Sequence, residues 1–142
     1  MNVLIYDKSH DLRRFYSSLI KAISPNSQIR KTDNNEEFLF WTNEQKHDLV
    51  IIDIDFIGNH LVETVTNAQS KNPDVIIVAL THFPQSMIRN KLAAHGVVNY
   101  FERTTQLQEF IEVIKSMQTN IGQQNNNYVL QDIQPASGLK FA

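Results

Sequence analysis

His47-Asp-Leu-Val-Ile-Ile-Asp-Ile-Asp55 is the stretch that decides the fold. Between Asp48 and Asp53 every side chain is apolar, so the segment has no polar face to turn toward water. A run this short, apolar on both faces and bounded by acids, reads as a central parallel strand covered by helices on both sides. Val3 to Tyr6 and Val75 to Leu80 are runs of the same kind.

Working outward, helical periodicity follows each strand. Ser9 is placed to cap a helix in which Leu12, Phe15, Leu19, Ile20 and Ile23 share a face, and Ser24-Pro25-Asn26 ends it. Ser27 to Thr32 makes a second strand, and Asp33-x-x-Glu36 reads as a capping box opening a helix through Phe38, Leu39 and Trp41. Phe38, Phe40 and Trp41 lie too close in sequence for one helix face, so at least one of them is left outside the core. After Asp53, Gly58 punctuates the loop, Leu61, Val62, Val65 and Ala68 form the next helical face, and Asn72-Pro73-Asp74 breaks it. Pro84 suits a helix start, Met87, Ile88, Leu92 and Ala93 line that helix, and Gly96 stands where a left-handed cap precedes a last strand, Val97 to Phe101. Leu107, Phe110, Ile111, Ile114 and Met117 form the final helix, with Gly122 just beyond its end. Five strand–helix pairs with short connections predict a doubly wound α/β fold. Parallel neighbours need right-handed crossovers that place helices on both faces, and five pairs are too few for an eight-stranded barrel.

Composition bounds the function. The chain has 142 residues, 42% of them hydrophobic and 20% charged, which fits one domain. Residues 1–121 are assigned to it, and 122–142, opening on Gln-rich and Asn-rich sequence and carrying Pro135 and Gly138, to a tail or linker. Thirteen Lys and Arg against fifteen Asp and Glu leave no basic excess for nucleic-acid binding. The absence of cysteine removes disulfides, thiolate zinc sites and thiol nucleophiles, and points to a reducing compartment. No apolar run approaches the roughly 18 residues of a membrane span, and the N-terminus lacks a signal-peptide layout, so a cytoplasmic location is expected. Four glycines are too few for a Gly-rich phosphate loop.

In open α/β sheets chemistry gathers outside the carboxyl ends of the strands. Those ends carry Asp7-Lys8, Asp53-Ile54-Asp55, Thr81-His82 and Glu102-Arg103. Two carboxylates about 5 Å apart repel by roughly 3 kcal/mol at an effective dielectric of 20, so Asp7, Asp53 and Asp55 together need a compensating cation. Lys8 and Arg103 are placed to supply it.

From about Val3 to Met117 the chain resembles the CheY-like receiver domains of two-component response regulators. The stretches carrying the likeness are VLIYDKSHDLRR, HDLVIIDID, VIIVALTH and HGVVNYFERT. The resemblance implies a flavodoxin-like sheet of strand order 2-1-3-4-5 and a histidine kinase or phosphotransfer protein as partner. It places Asp53 at the phosphoacceptor, Asp7 at the first pocket acid, Thr81 and Tyr100 at the switch pair and Arg103 at the pocket lysine. It also implies Mg²⁺, with Asp7, Asp53 and Asp55 as candidate ligands. Lys8 argues against the metal: it stands where the family has a second acid, and an ammonium cannot ligate a cation that demands oxygens. Arg103 exchanges a point charge for a planar fork, Thr104 stands where the family has proline, and His82 where it has a small residue beside the pocket.

Two mechanisms follow from the resemblance. In one, Asp53 is phosphorylated, and Thr81 and Tyr100 carry the change to the face of the fourth helix, fifth strand and fifth helix. In the other, Lys8 and Arg103 lock the pocket, and the same face binds a protein partner or a second copy constitutively. Neither is enzymatic turnover. Asp53-x-Asp55 also resembles the nucleophile motif of haloacid-dehalogenase-type phosphatases, but that motif belongs on the first strand and no paired acids follow the fourth strand here. An FMN-binding electron carrier would need a Ser/Thr/Gly phosphate loop after the first strand, which Lys8-Ser9-His10-Asp11-Leu12 does not supply.

Overall fold

The computed structural model describes residues 1–97 and 99–133, the side chains of 85, 88 and 121–133 excepted. Strands β1 (Asn2–Tyr6), β2 (Gln28–Thr32), β3 (Leu49–Asp53), β4 (Ile76–Thr81) and β5 (Asn99–Glu102) alternate with helices α1 (His10–Ile23), α2 (Asn35–Glu44), α3 (Leu61–Gln69), α4 (Gln85–Ala93) and α5 (Leu107–Ile133). One α-helical turn, Ile54–Ile57, and a 3₁₀ turn, Gly58–His60, lead from β3 into α3. All strands are parallel in the order β2-β1-β3-β4-β5, the doubly wound arrangement that the alternation predicts.

The two-residue period of the strands divides the core. Val3, Ile5, Leu49, Ile51, Val78 and Leu80 face Tyr16 and Ile20 of α1 and Phe110 and Ile114 of α5. Leu4, Tyr6, Val50, Ile52, Ile77 and Ala79 face Phe38 of α2, the apolar side of α3 and Leu92 of α4. Burying side chains of this size contributes about 1.5–3 kcal/mol each. β3, apolar on both faces, is therefore the segment the fold can least spare.

Helix ends follow local chemistry. Ser9 caps α1, its hydroxyl accepting from Leu12 N at 3.2 Å. The cap of α2 lies one residue beyond the expected box: Asn34 accepts from Glu37 N at 2.8 Å. The Thr32 hydroxyl both accepts from Asn34 N and donates to Asn34 O, which turns the chain before the helix starts. α4 closes in a Schellman pattern, with Val97 N donating to Leu92 O and Gly96 N to Ala93 O, both 3.0 Å. Gly96 adopts φ +77°, the left-handed conformation anticipated for it.

Several expectations need correction. Phe15 is exposed, and Tyr16 takes the buried position on α1. Val62 and Met87 also face outward. Of the aromatic triplet on α2, Phe38 is fully buried while Phe40 is 52% exposed, as their spacing requires. α5 does not stop at Gly122 but runs on to Ile133. An interior glycine costs a helix only about 1 kcal/mol, and no proline intervenes before Pro135. Residues 134–142, with Pro135 and Gly138, lie outside the described residues.

Candidate functional site at the strand ends

Arg103 follows β5 directly, and its backbone N–H donates to Thr81 O at 2.9 Å, which fastens it to the end of β4. Its guanidinium turns inward across the sheet. Nη2 lies 3.0 Å from Asp7 Oδ2 and 3.1 Å from Asp53 Oδ1, so one nitrogen joins the acids ending β1 and β3. Nη1 donates to the Tyr16 hydroxyl at 2.6 Å. The Tyr16 ring is itself held edge-on by Phe110 of α5, with centroids 5.6 Å apart. Side-chain exposure is 4% for Arg103, 2% for Asp7 and 14% for Asp53, so water screens these charges little. A guanidinium is less strongly hydrated than an ammonium and matches carboxylates with its fork, which suits it to such a place.

Asp7 is buried deepest of the three acids. Burial pushes its carboxyl above the ordinary range, against the lowering effect of the Ser9 N–H at 2.9 Å on Oδ1 and of the Arg103 charge. Tyr16 is likewise raised, first by burial. The acids and Tyr16 raise Arg103 despite its own burial.

Asp55 belongs to a second, more exposed centre. Its Oδ1 accepts from the Thr81 hydroxyl at 2.7 Å and its Oδ2 from His82 N at 2.8 Å. Thr81 Oγ1 accepts in turn from Phe83 N at 3.0 Å. The two centres meet at Asp53 Oδ1, which also accepts from Asp55 N at 3.1 Å. Of the residues singled out from sequence, Asp7, Asp53 and Arg103 form one cluster, and Asp55, Thr81 and the His82 backbone form the other. Tyr100 is half-buried and packs against the core on the side of α2, α3 and α4. The Glu102 carboxylate accepts hydrogen bonds from the residues that follow it, Thr104 and Thr105. The hydroxyls and N–H groups of Thr104 and Thr105 hold its carboxyl down to about 2.

Lys8 is not among the carboxylates. It is exposed, with Nζ 5.7 Å from the centroid of the Phe56 ring, and among the described residues it forms no ion pair within 4.0 Å. The cause is local: successive side chains of an extended chain point to opposite sides, so an inward Asp7 sends Lys8 outward, where its ammonium keeps its water. Arg13 fixes that backbone, Nη1 donating to Asp7 O at 2.7 Å and Lys8 O at 3.0 Å. The compensating charge therefore comes from Arg103 and not from Lys8.

These residues do not fit Mg²⁺ as they are arranged. The ion wants a nearly complete octahedron of oxygens. Lys8 offers no side-chain oxygen, the facing oxygens of Asp7 and Asp53 are bound to a guanidinium, and both oxygens of Asp55 accept hydrogen bonds. Among the described residues no group of three or more His, Asp or Glu side chains is placed to hold a metal ion.

Arg13 and Tyr16 were not singled out from sequence. A signal for Tyr16 was present: it stands four residues from both Leu12 and Ile20, and a tyrosine on a buried strip needs a partner for its hydroxyl. Nothing in the order of residues marks Arg13 as the group that would hold Asp7 and Lys8.

A parallel sheet of this order, with acids, a hydroxyl and a cation gathered at its carboxyl ends, defines a flavodoxin-like fold with a strand-end site. The family model described as the response regulator receiver domain matches residues 3–115, and the chain belongs to that family. It is 26% identical over 116 residues to the response regulator GacA of Pseudomonas viridiflava and to that of Pseudomonas syringae pv. syringae. The match takes in 81% of this chain and 54% of theirs, so the chain spans about half the length of the curated relatives it matches. Among solved structures, the signal receiver domain of the DNA binding response regulator merR from Colwellia psychrerythraea 34H superposes with a TM-score of 0.72 at 16% identity, covering 82% of this chain and 97% of that one. The response regulator TrrA of Thermotoga maritima, in complex with Mg(2+)-BeF, gives 0.65 at 24% identity, covering 81% and 96%. These structural likenesses establish the fold.

Proposed function

We propose that this receiver domain acts through protein–protein contact with its acidic pocket closed by its own Arg103, so that output does not depend on phosphorylation. The single nitrogen shared by Asp7 and Asp53 carries the reading. A guanidinium there neutralises the acids, which removes the electrostatic reason for a metal to enter, and phosphoryl transfer relies on such charge to stabilise the transferring oxygens. Asp55 adds to the closure by engaging Thr81, the candidate switch hydroxyl. The output face is that of α4, β5 and α5. Exposed Phe83 and Met87 at the start of α4 and Leu107 at the start of α5 supply apolar surface for a protein partner or a second copy. The role is non-enzymatic and cytoplasmic, and among the described residues no helix is long and apolar enough to cross a membrane.

A second reading has one observation in its favour. Of the two acids that share Arg103, Asp53 is the more open to water, and its Oδ2 has no hydrogen-bond or ion-pair partner among the described residues. A histidine kinase or phosphotransfer protein would then phosphorylate Asp53, and Thr81 and Tyr100 would relay the change. Incubation with Mg²⁺ and either acetyl phosphate or fluoroberyllate separates the two. No modification and no fluoroberyllate-induced spectral change is expected of the wild type, with a response appearing when Lys8→Asp and Arg103→Lys are combined. Saturable modification of the wild type that disappears in Asp53→Asn overturns the closed-pocket reading in favour of phosphorylation.

A further inference from the structure

A different group of charges lies on the α1 side of the sheet, outside the strand-end site. His10, Arg13 and Arg14 of α1 and Lys31 of the edge strand β2 line an open cavity of about 480 Å³. Helical spacing brings the first three together, since residues three and four apart are neighbours on one face. Lys31 pairs with Ile5, whose side chain lies on the α1 side of the sheet, so strand alternation delivers it to the same groove.

The charge in this groove is poorly compensated. No carboxylate lines it. The nearby acids are otherwise placed: Asp11 is fully exposed beside His10 at 3.7 Å, Asp33 accepts from Asn34 Nδ2 at 3.2 Å, and Asp7 is committed to Arg103. Neither Arg14 nor Lys31 has an ion-pair partner within 4.0 Å among the described residues. Arg13 is preorganised, because the two backbone carbonyls that hold Nη1 fix the guanidinium at the cavity wall. In a chain of net charge -2, three permanent cations around one concavity make a local field opposite in sign to the whole.

We infer that the groove between α1 and β2 binds a small molecule bearing two or more phosphate groups. The Arg14 fork, the N–H groups that Arg13 has left beyond Nη1, and the Lys31 ammonium together can donate to several phosphate oxygens at once. The cavity is of the size that holds a nucleotide-scale ligand. A nucleic-acid polymer is not the occupant argued for, because the overall charge of the chain opposes a long polyanion. The inference does not depend on whether Asp53 is phosphorylated.

Isothermal titration of the full chain with pyrophosphate and with ADP, and with sulfate as control, at about 0.15 M salt tests it. Saturable binding of pyrophosphate or ADP is expected, weakened roughly tenfold or more by Arg14→Glu or Lys31→Glu and unchanged by Lys71→Glu in the exposed turn after α3, which does not line the groove. Binding of ADP well above pyrophosphate assigns the ligand to nucleotides, and the reverse assigns it to inorganic or simple organic phosphates. No saturable binding, equal binding of sulfate, or wild-type affinity in both groove variants overturns the inference. Circular dichroism of each variant confirms folding, with Arg14→Gln and Lys31→Gln as the milder pair should the reversals unfold.

Discussion

The strand-end site holds two centres made of similar groups and governed by different physics. Around Arg103, ionised groups are shut away from water, so each charge depends on the others and losing one strands the rest. Around Asp55, the carboxylate is exposed and its partners are neutral donors, a hydroxyl and an amide. Water can replace what is lost there. An acid at a strand end thus says little by itself about how strongly it is held. The depth of its partner decides.

Removing the central cation should give the largest effect. Arg103→Ala leaves Asp7 and Asp53 facing each other uncompensated, and urea unfolding should show a loss of about 3–5 kcal/mol. The same variant should gain stability from added Mg²⁺ where the wild type does not, since the exposed pair of acids then wants a replacement charge. An unchanged unfolding midpoint would show that the ion pairs are as weak as surface ones and would erase the contrast between the centres.

Tyr16→Phe removes only the hydroxyl under Nη1, and about 1.5–3 kcal/mol is expected for a hydrogen bond to a buried charge. The pH dependence of the same cluster has a definite sign. The carboxyl of Asp7 lies above the ordinary range in the folded state, so between the unfolded and folded pKa the folded chain binds more protons than the unfolded one. Its contribution to stability is therefore present below the unfolded pKa and falls as pH rises through the folded one. Compared with Asp7→Asn, which carries no such proton, the wild type should lose relative stability in urea titrations as pH rises above the ordinary aspartate range, about pH 4. The opposite trend would mean that Arg103 outweighs burial.

Thr81→Ala tests the second centre. With Asp55 free to turn to water, a loss of about 1 kcal/mol is expected by thermal denaturation, largely recovered in Thr81→Ser. Lys8→Ala should do least, within about 0.5 kcal/mol, because its ammonium lies outside the cluster. A loss comparable to that of Arg103→Ala would place Lys8 back among the pocket cations.

What could be read from the amino-acid order and what could not divides along a physical line. Both-face apolar runs such as Leu49–Ile52 have one stable home, the middle of a covered sheet, so alternation sufficed for the fold. Asp7, Asp53, Thr81 and Arg103 could be expected near one another because a parallel sheet brings its carboxyl ends to one edge. Which way a loop residue faces is decided by one peptide rotation, and that is why Lys8 was expected inside and lies outside. On α1 two adjacent aromatics, Phe15 and Tyr16, competed for one buried position. The helical phase that settles the contest comes from how α1 sits on β1 and α5, which no local pattern encodes. The groove between α1 and β2 escaped for a related reason: Lys31 and Arg14 are far apart in sequence and meet only once the edge strand is placed.

The hydrogen bond from Arg103 N to Thr81 O carries a kinetic consequence. It fastens the backbone of the residue that closes the pocket, so opening requires no hinge and no movement of β5. Withdrawal of the guanidinium is a set of side-chain rotations, fast in themselves for free side chains, on the picosecond to nanosecond scale. Here the two ion pairs and the Tyr16 hydroxyl must be broken first. The lifetime of the closed pocket is therefore set by the strength of three contacts on one side chain, and a single substitution at Tyr16 should shorten it without altering the shape of the domain.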